Sequence, residues 1–271
     1  MTATTLPPSS DTIAQKSRLA WAVSDALAVA HRNLIGLFRV PTTLVFSTIQ
    51  PVIFVLMFRY VFGGAIQVPG FRYVDYLMAG IFVQTVTFGS VNTGIGLAED
   101  LSKGLIERFR SLAMARSAVL AGRTIADAVR NLIVIALMVA VGFLVGFQVH
   151  TNVVAFFAAI GVMLLFGFAM SWVMALIGLS AGNAEAAQAA SFPIMAVLVF
   201  ASNAFVSTKT MPGPLRAYAE HQPITATVDA VRALLNKGIP TTRPLLTALA
   251  WSIAIVAVFA PLAVRRYRRA A

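Results

Sequence analysis

Apolar side chains are gathered in this chain into long blocks separated by short polar or basic stretches. A helix crossing the hydrocarbon core of a bilayer needs about 20 mostly apolar residues. Six segments fit: residues 42–62, 74–97, 125–147, 153–179, 187–205 and 245–264. Pro51 lies inside the first and Pro193 inside the fifth. Prolines are tolerated in such helices because neighbouring groups re-satisfy the freed carbonyls. The second segment carries a polar run, Gln84, Thr85, Thr87, Ser90, Asn92 and Thr93, and the fifth ends in Ser202 and Asn203. Polar groups at such positions either hydrogen-bond between helices or line a path. Gln84, Thr87, Asn92, Ser202 and Asn203 are the candidates for a path.

Outside the blocks, three stretches have their own pattern. Residues 18–40 place Leu19, Val23, Ala26, Leu27, Ala30, Leu34, Leu37 and Phe38 at helical spacing, with Arg18, Asp25, Arg32 and Asn33 mostly elsewhere. This predicts an amphipathic helix lying in the membrane interface, stopped by Pro41. Residues 99–112 put Leu101, Leu105, Phe109 and Leu112 on one stripe, with Glu99 four residues before Lys103. Residues 209–243 are broken by Pro212, Pro214, Pro223 and Pro240, with a short helix expected over 225–235. That connection is long enough to dip part-way into the bilayer where protein covers its backbone. Residues 1–17 are polar, contain Pro7 and Pro8, and read as a disordered tail without a secretory signal; residues 265–271 form a basic tail. The expected fold is an all-α integral membrane protein with six transmembrane helices.

Composition agrees. Hydrophobic residues make up 59% and charged residues 11%, against about 45–50% and 25% in soluble domains. The mean hydropathy is +0.83. The net charge of +11 would suggest nucleic acid on a soluble protein, but its distribution excludes that reading. Between residues 124 and 208 the charges are Asp127, Arg130 and Glu185, and residues 244–264 have none. Thirteen Lys and Arg flank the segments on the side of both termini and the 98–124 connection, against six on the other side. The positive-inside rule makes the first side cytoplasmic, in a cell membrane crossed several times, where the basic flanks meet anionic lipid.

There is no cysteine, and His31, His150 and His221 have no metal-ligand spacing. Gly178-Leu179-Ser180-Ala181-Gly182 fits a nucleophile-elbow pattern but closes an apolar helix, where a strand-to-helix turn is required. Gly142 and Gly146 form a possible close-packing face. Asp127 and Arg130, three apart, are expected to pair locally, Arg59 to snorkel and Glu185 to lie in a loop or at a helix end. No acid stands convincingly at mid-membrane, which counts against proton coupling. The dipeptide Gly-Lys is absent, and with it the Walker loop. The chain is therefore expected to be non-catalytic and to bind no cofactor or metal itself.

Together these stretches resemble the type 2 ABC exporter permeases, in the daunorubicin-resistance branch. The resemblance runs through Arg39-Val40-Pro41, Gln50-Pro51-Val52-Ile53-Phe54, Phe62-Gly63-Gly64 and residues 73–81. It continues through Glu99-Asp100, Lys103-Gly104-Leu105-Ile106-Glu107-Arg108-Phe109-Arg110-Ser111-Leu112, Gly122-Arg123, residues 202–206, Met211-Pro212 and Gln222-Pro223-Ile224-Thr225. Ala113 and His221 depart from the usual Pro and Asn. The resemblance implies a permease that dimerises, with itself or a second permease, and pairs with two cytosolic ATP-binding subunits that use ATP and Mg. It makes 99–112 a coupling helix docking in the ATPase through Glu99, Asp100, Leu101, Lys103, Gly104, Leu105, Glu107, Arg108, Phe109 and Arg110. It makes 209–243 a re-entrant segment capping the exit. The implied activity is export of an amphipathic substrate, such as a hydrophobic drug, a lipid or a lipid-linked glycan. The alternative is a proton-coupled secondary transporter.

Overall fold

Long uninterrupted apolar stretches leave the backbone one way to satisfy its own polar groups, and the chain takes it. The structure is a computed structural model that describes residues 41–66, 68, 70, 72–104 and 116–270. The expected interfacial helix, the tail before it, and Leu105, Glu107, Arg108, Phe109 and Arg110 lie outside the described residues. Nine α-helices are described. They are α1 (Pro41–Leu56), α2 (Tyr73–Gly89), α3 (Val91–Ser102), α4 (Arg116–Leu144), α5 (Val153–Ala181), α6 (Ala184–Phe200), α7 (Gly213–His221), α8 (Pro223–Leu235) and α9 (Thr242–Ala270). A π-helical turn, Met57–Val61, extends α1. No strand occurs among the described residues.

Four helical stretches are long and apolar enough to cross a membrane: Tyr73–Ser102, Gly122–Leu144, Val153–Ala181 and Thr242–Arg269. Two of the six expected segments fall on shorter apolar helices, Thr48–Val61 and Ala184–Phe200. The fifth segment is shorter than expected because Ala201 leaves helical geometry, with ψ at 37°, and residues 201–205 form a turn. At about 1.5 Å per residue, α6 spans about 26 Å, short of a 30 Å hydrocarbon core. The basic tail is not a separate segment: α9 runs on through Arg265, Arg266, Arg268 and Arg269. Cations suit a helix C-terminus, where the carbonyls leave partial negative charge.

α5 is apolar around its whole circumference and sits at the hub, packing against α2, α3, α4, α6, α8 and α9. The α2–α3 stretch is the most enclosed, at 89% buried, and α9 the least, at 17%. The outward side chains, among them Val154, Phe157, Ile253 and Leu144, are apolar, as suits a lipid surface. α8 is not a surface helix: Ile224, Val228, Val231, Leu234 and Leu235 are buried against the bundle. Pro223 at its first turn costs nothing, since that N–H has no helical partner.

Small residues set the crossings. A Cβ on Gly178 of α5 would lie 2.1 Å from the Gly94 carbonyl oxygen of α3, and one on Gly94 would lie 2.5 Å from that of Met174. The glycines of the nucleophile-elbow pattern thus have packing and capping roles. Gly178 admits α3, and Gly182 (φ 83°) ends α5, while the Ser180 hydroxyl donates to the Leu176 carbonyl at 2.8 Å. Gly142 packs within the chain against Met78 and Phe147. Phe54, Phe58, Phe200 and Phe205 form an aromatic cluster joining α1 to the end of α6, with Phe58 and Phe205 stacked at 4.6 Å.

Gly178→Val pushes α3 from α5 and is expected to cost about 1–3 kcal/mol, read as a lower thermal midpoint in detergent. Ser180→Ala should leave the midpoint nearly unchanged.

Candidate functional site

The helical ladder slips between α2 and α3, and this slip creates the site. The Thr93 N–H donates to Ser90 rather than to Gly89, one residue short of the α-helical partner. The Gly89 carbonyl is left outside the ladder, and it accepts Arg130 Nη2 of α4 at 2.5 Å and the Asn92 amide at 3.3 Å. Nη1 of the same guanidinium is 3.1 Å from Asp127 Oδ1, the local pair expected from the sequence. Asp127 Oδ2 accepts the Thr93 hydroxyl. α3 and α4 are therefore joined by a polar seam, and each charge in it has a partner. Further along, Arg123 pairs with Asp100, tying the end of α3 to α4.

Beside the slip lies a cavity of about 410 Å³ between α1, α2, α3, α4 and α6. Its polar lining is Gln50, Gln84, Thr85, Asn92, Arg130, Asn131 and Gln188, with Phe88, Ile95, Val134 and Phe192 among the apolar walls. Of the path candidates, Gln84 and Asn92 line it. Thr87 is fully buried, and its hydroxyl donates to Val83 of its own helix at 2.7 Å. Ser202 and Asn203 belong to a different cluster. Gln50, Asn131 and Gln188 line it without being path candidates; their sequence signal is an uncharged amide inside an apolar helix.

That other cluster centres on Arg232, one of the six Lys and Arg on the side away from the termini. Its side chain is 5% exposed. The guanidinium carbon lies 3.4 Å from the Tyr76 ring centroid. Nη2 donates to the carbonyls of Asn203 (2.7 Å) and Ala204 (3.2 Å), and Nε to that of Tyr76 (3.2 Å). Asp229 is 3.6 Å away and accepts the Asn203 amide at 2.5 Å. The Gln222 amide serves the Leu198 and Ala201 carbonyls. Ser202 closes the turn, donating to Val199 and accepting the Ala204 N–H. Close approach completes the arrangement: a Cβ on Gly80 would lie 1.9 Å from the Ala204 oxygen.

Asp75 is a second unanticipated group. It is 2% exposed at the start of α2, accepting the Gln148 N–H at 3.0 Å and facing His150 Nε2 at 3.1 Å. Arg72, 3.8 Å from that carboxylate, donates to the Gly146 carbonyl at 2.8 Å. A separate cavity of about 590 Å³ between α7, α8 and the start of α9 is bordered by Glu220, His221, Asp229, Arg243 and Trp251. A hydrogen bond from Arg216 lowers the Glu220 pKa.

At the opposite end, Glu99 and Lys103 pair at 2.5 Å, which raises the lysine's pKa. A continuous helix over 99–112 is not formed. α3 stops at Ser102, the Gly104 N–H turns back to Leu101, and Gly104 takes φ 65°. Glu99, Asp100 and Leu101 are thus the last turn of a membrane helix. Leu101, expected on the docking stripe, packs inward against the cluster of Leu97, Trp172, Leu179 and Tyr267.

These features define a multi-pass helical membrane protein with a polar internal cavity and no metal cluster among the described residues. The family described as ABC-2 type transporter matches residues 25–236, and the chain belongs to it. It is 35% identical over 249 residues to the daunorubicin resistance ABC transporter permease protein DrrB1 of Streptomyces coeruleorubidus, covering 92% of this chain and 88% of that protein. It is 26% identical over 256 residues to the probable doxorubicin resistance ABC transporter permease protein DrrC of Mycobacterium tuberculosis, covering 92% and 90%. The resemblance seen in the sequence is thereby established.

Arg232→Met would remove a donor from the carbonyls of Asn203, Ala204 and Tyr76, the first of which keeps the Tyr76 hydroxyl at 3.0 Å, and would leave Asp229 with the Asn203 amide. It should lower stability by about 1–3 kcal/mol, read as loss of monodisperse protein on size exclusion. Arg232→Lys should not restore it, since an ammonium lacks the planar fork.

Proposed function

We propose that this chain is the membrane-spanning subunit of an ATP-driven exporter. It would cross the membrane six times, with both termini cytoplasmic, and work beside a second permease subunit, identical or not, and two separate ATP-binding subunits. The cargo would be amphipathic: a hydrophobic drug, a lipid or a lipid-linked glycan. The observation that carries the reading is the cavity at the α2–α3 slip, joined through the seam of α3 and α4 to the end where the docking segment begins. The permeases to which the chain is similar support it, being described as resistance transporters.

In this reading the segment from Glu99 to Arg110 meets the ATP-binding subunit, with Leu105 and Phe109 in its groove and Glu107, Arg108 and Arg110 setting register. Displacement there moves the ends of α3 and α4 together, because Asp100–Arg123 and Asp127–Thr93 hold them as one body. The cavity wall moves with them, since Asn92 and Arg130 belong to that body. Residues 209–243, with α7 and α8, would cap the exit as a re-entrant segment. Gln84 and Asn92 lie along the path, while Ser202, Asn203 and Arg232 hold the turn under the cap. α1 with its π-helical turn and α6 would supply the fifth and sixth crossings.

Affinity capture of the tagged chain in mild detergent should recover a cytosolic ATP-binding subunit at about 1:1, with ATP turnover; recovery of this chain alone would sink the reading. Glu107→Lys combined with Arg108→Glu should abolish that recovery while membrane insertion persists. Single cysteines at Asn152 and Gly213 should react with an impermeant thiol reagent on intact cells, and labelling only after lysis would overturn the orientation.

A further inference from the structure

We infer that the cavity beside Ser90 receives an uncharged headgroup rich in hydrogen-bonding groups, of the polyhydroxyl or amide class, in preference to an ammonium or an anion. The inference deepens the transport reading, on which it rests for the cavity's being a substrate site. Five carboxamides line the cavity: Gln50, Gln84, Asn92, Asn131 and Gln188. A carboxamide presents a donor and an acceptor together, matching hydroxyl and amide groups, which do the same. Gln84 is 2% exposed, and its Oε1 is buried without a hydrogen-bond partner. An acceptor withheld from water is a cost that a ligand hydroxyl or N–H removes.

The charge arrangement gives the second half of the case. Arg130 is the one ionisable residue among those lining the cavity. Its guanidinium is committed to Asp127 and to the Gly89 carbonyl, so the pair adds no net charge. An ammonium entering here would lose its water with no carboxylate among the lining residues to replace it. An anion would have to compete with Asp127 for Arg130. The Phe88 and Phe192 rings, 5.5 Å apart at the cavity's side, offer the apolar remainder of an amphiphile a surface. A volume of about 410 Å³ lies within the roughly 300–1,000 Å³ of small-molecule sites.

The test uses the full-length chain in lipid nanodiscs and three photoreactive probes sharing one diazirine-bearing twelve-carbon chain. Their headgroups are glucoside, trimethylammonium and sulfonate. Peptide mapping should find the glucoside probe saturably attached around Gln84–Asn92 and Gln188–Phe192, displaced by unlabelled dodecyl glucoside. Its labelling there should exceed that of either charged probe by about ten-fold. Gln188→Leu should weaken it by about three-fold or more. Gln84→Glu, which adds a carboxylate with little change of shape, should invert the order in favour of the ammonium probe. Equal or stronger cavity labelling by a charged probe overturns the inference, as does an order that Gln84→Glu leaves unchanged, or the absence of saturable labelling by all three. Glucoside labelling in a chain that recovers no ATP-binding subunit keeps this inference and removes the ATP-driven reading. Preferential ammonium labelling in a complex that turns over ATP does the reverse.

Discussion

A carbonyl released from its helix inside an apolar protein must find another donor, because no water is at hand to supply one. At three of the places where this chain leaves helical geometry, an arginine arrives. Arg130 takes the Gly89 carbonyl at the α2–α3 slip. Arg232 takes those of Asn203 and Ala204 in the turn after α6. Arg72 takes that of Gly146 where α4 ends. Guanidinium suits the task, with five donors in a fixed fork and weaker hydration than an ammonium. Asp127, Asp229 and Asp75 stand beside the three arginines, so each release point has its own counter-charge. The irregular backbone that shapes the cavity and the turn is held by these groups.

Glycine does the complementary work. Where α3 crosses α5 and where α2 meets the turn after α6, backbone touches backbone, with no room for a side chain at Gly94, Gly178 or Gly80. In a bilayer the apolar side chains of a helix gain little by leaving lipid for protein, so close approach and buried polar bonds become the main sources of specificity. Both meet at one place: Gly80 lies one turn from Tyr76, whose ring carries Arg232.

Much of the architecture was legible in the apolar blocks, whose centres coincide with described helices because burial in lipid imposes length and continuity. The local pair Asp127–Arg130 and the helix over 225–235 could also be read from spacing. Arg232 could not be placed, because a cation in a Pro-rich connection reads as solvated; only the stacking on Tyr76, 156 residues away in sequence, shows otherwise. Polarity alone singles out the path candidates, and it does not distinguish Gln84, which lines a cavity, from Thr87, satisfied by its own helix. The stop at Ser102 was hidden because the Leu stripe continues past Gly104, whereas the left-handed glycine ends the helix regardless.

The slip at Ser90 divides one 30-residue element into two parts with different attachments. α2 is fastened to α8 through Tyr76 and Arg232, and α3 is fastened to α4 through Asp127 and Arg123. The molecule is thus built like a pair of shears whose pivot is a single residue and whose throat is the cavity. A few degrees of rotation about Ser90 would change the width of that throat, and α5, packed against both blades, would have to yield with it.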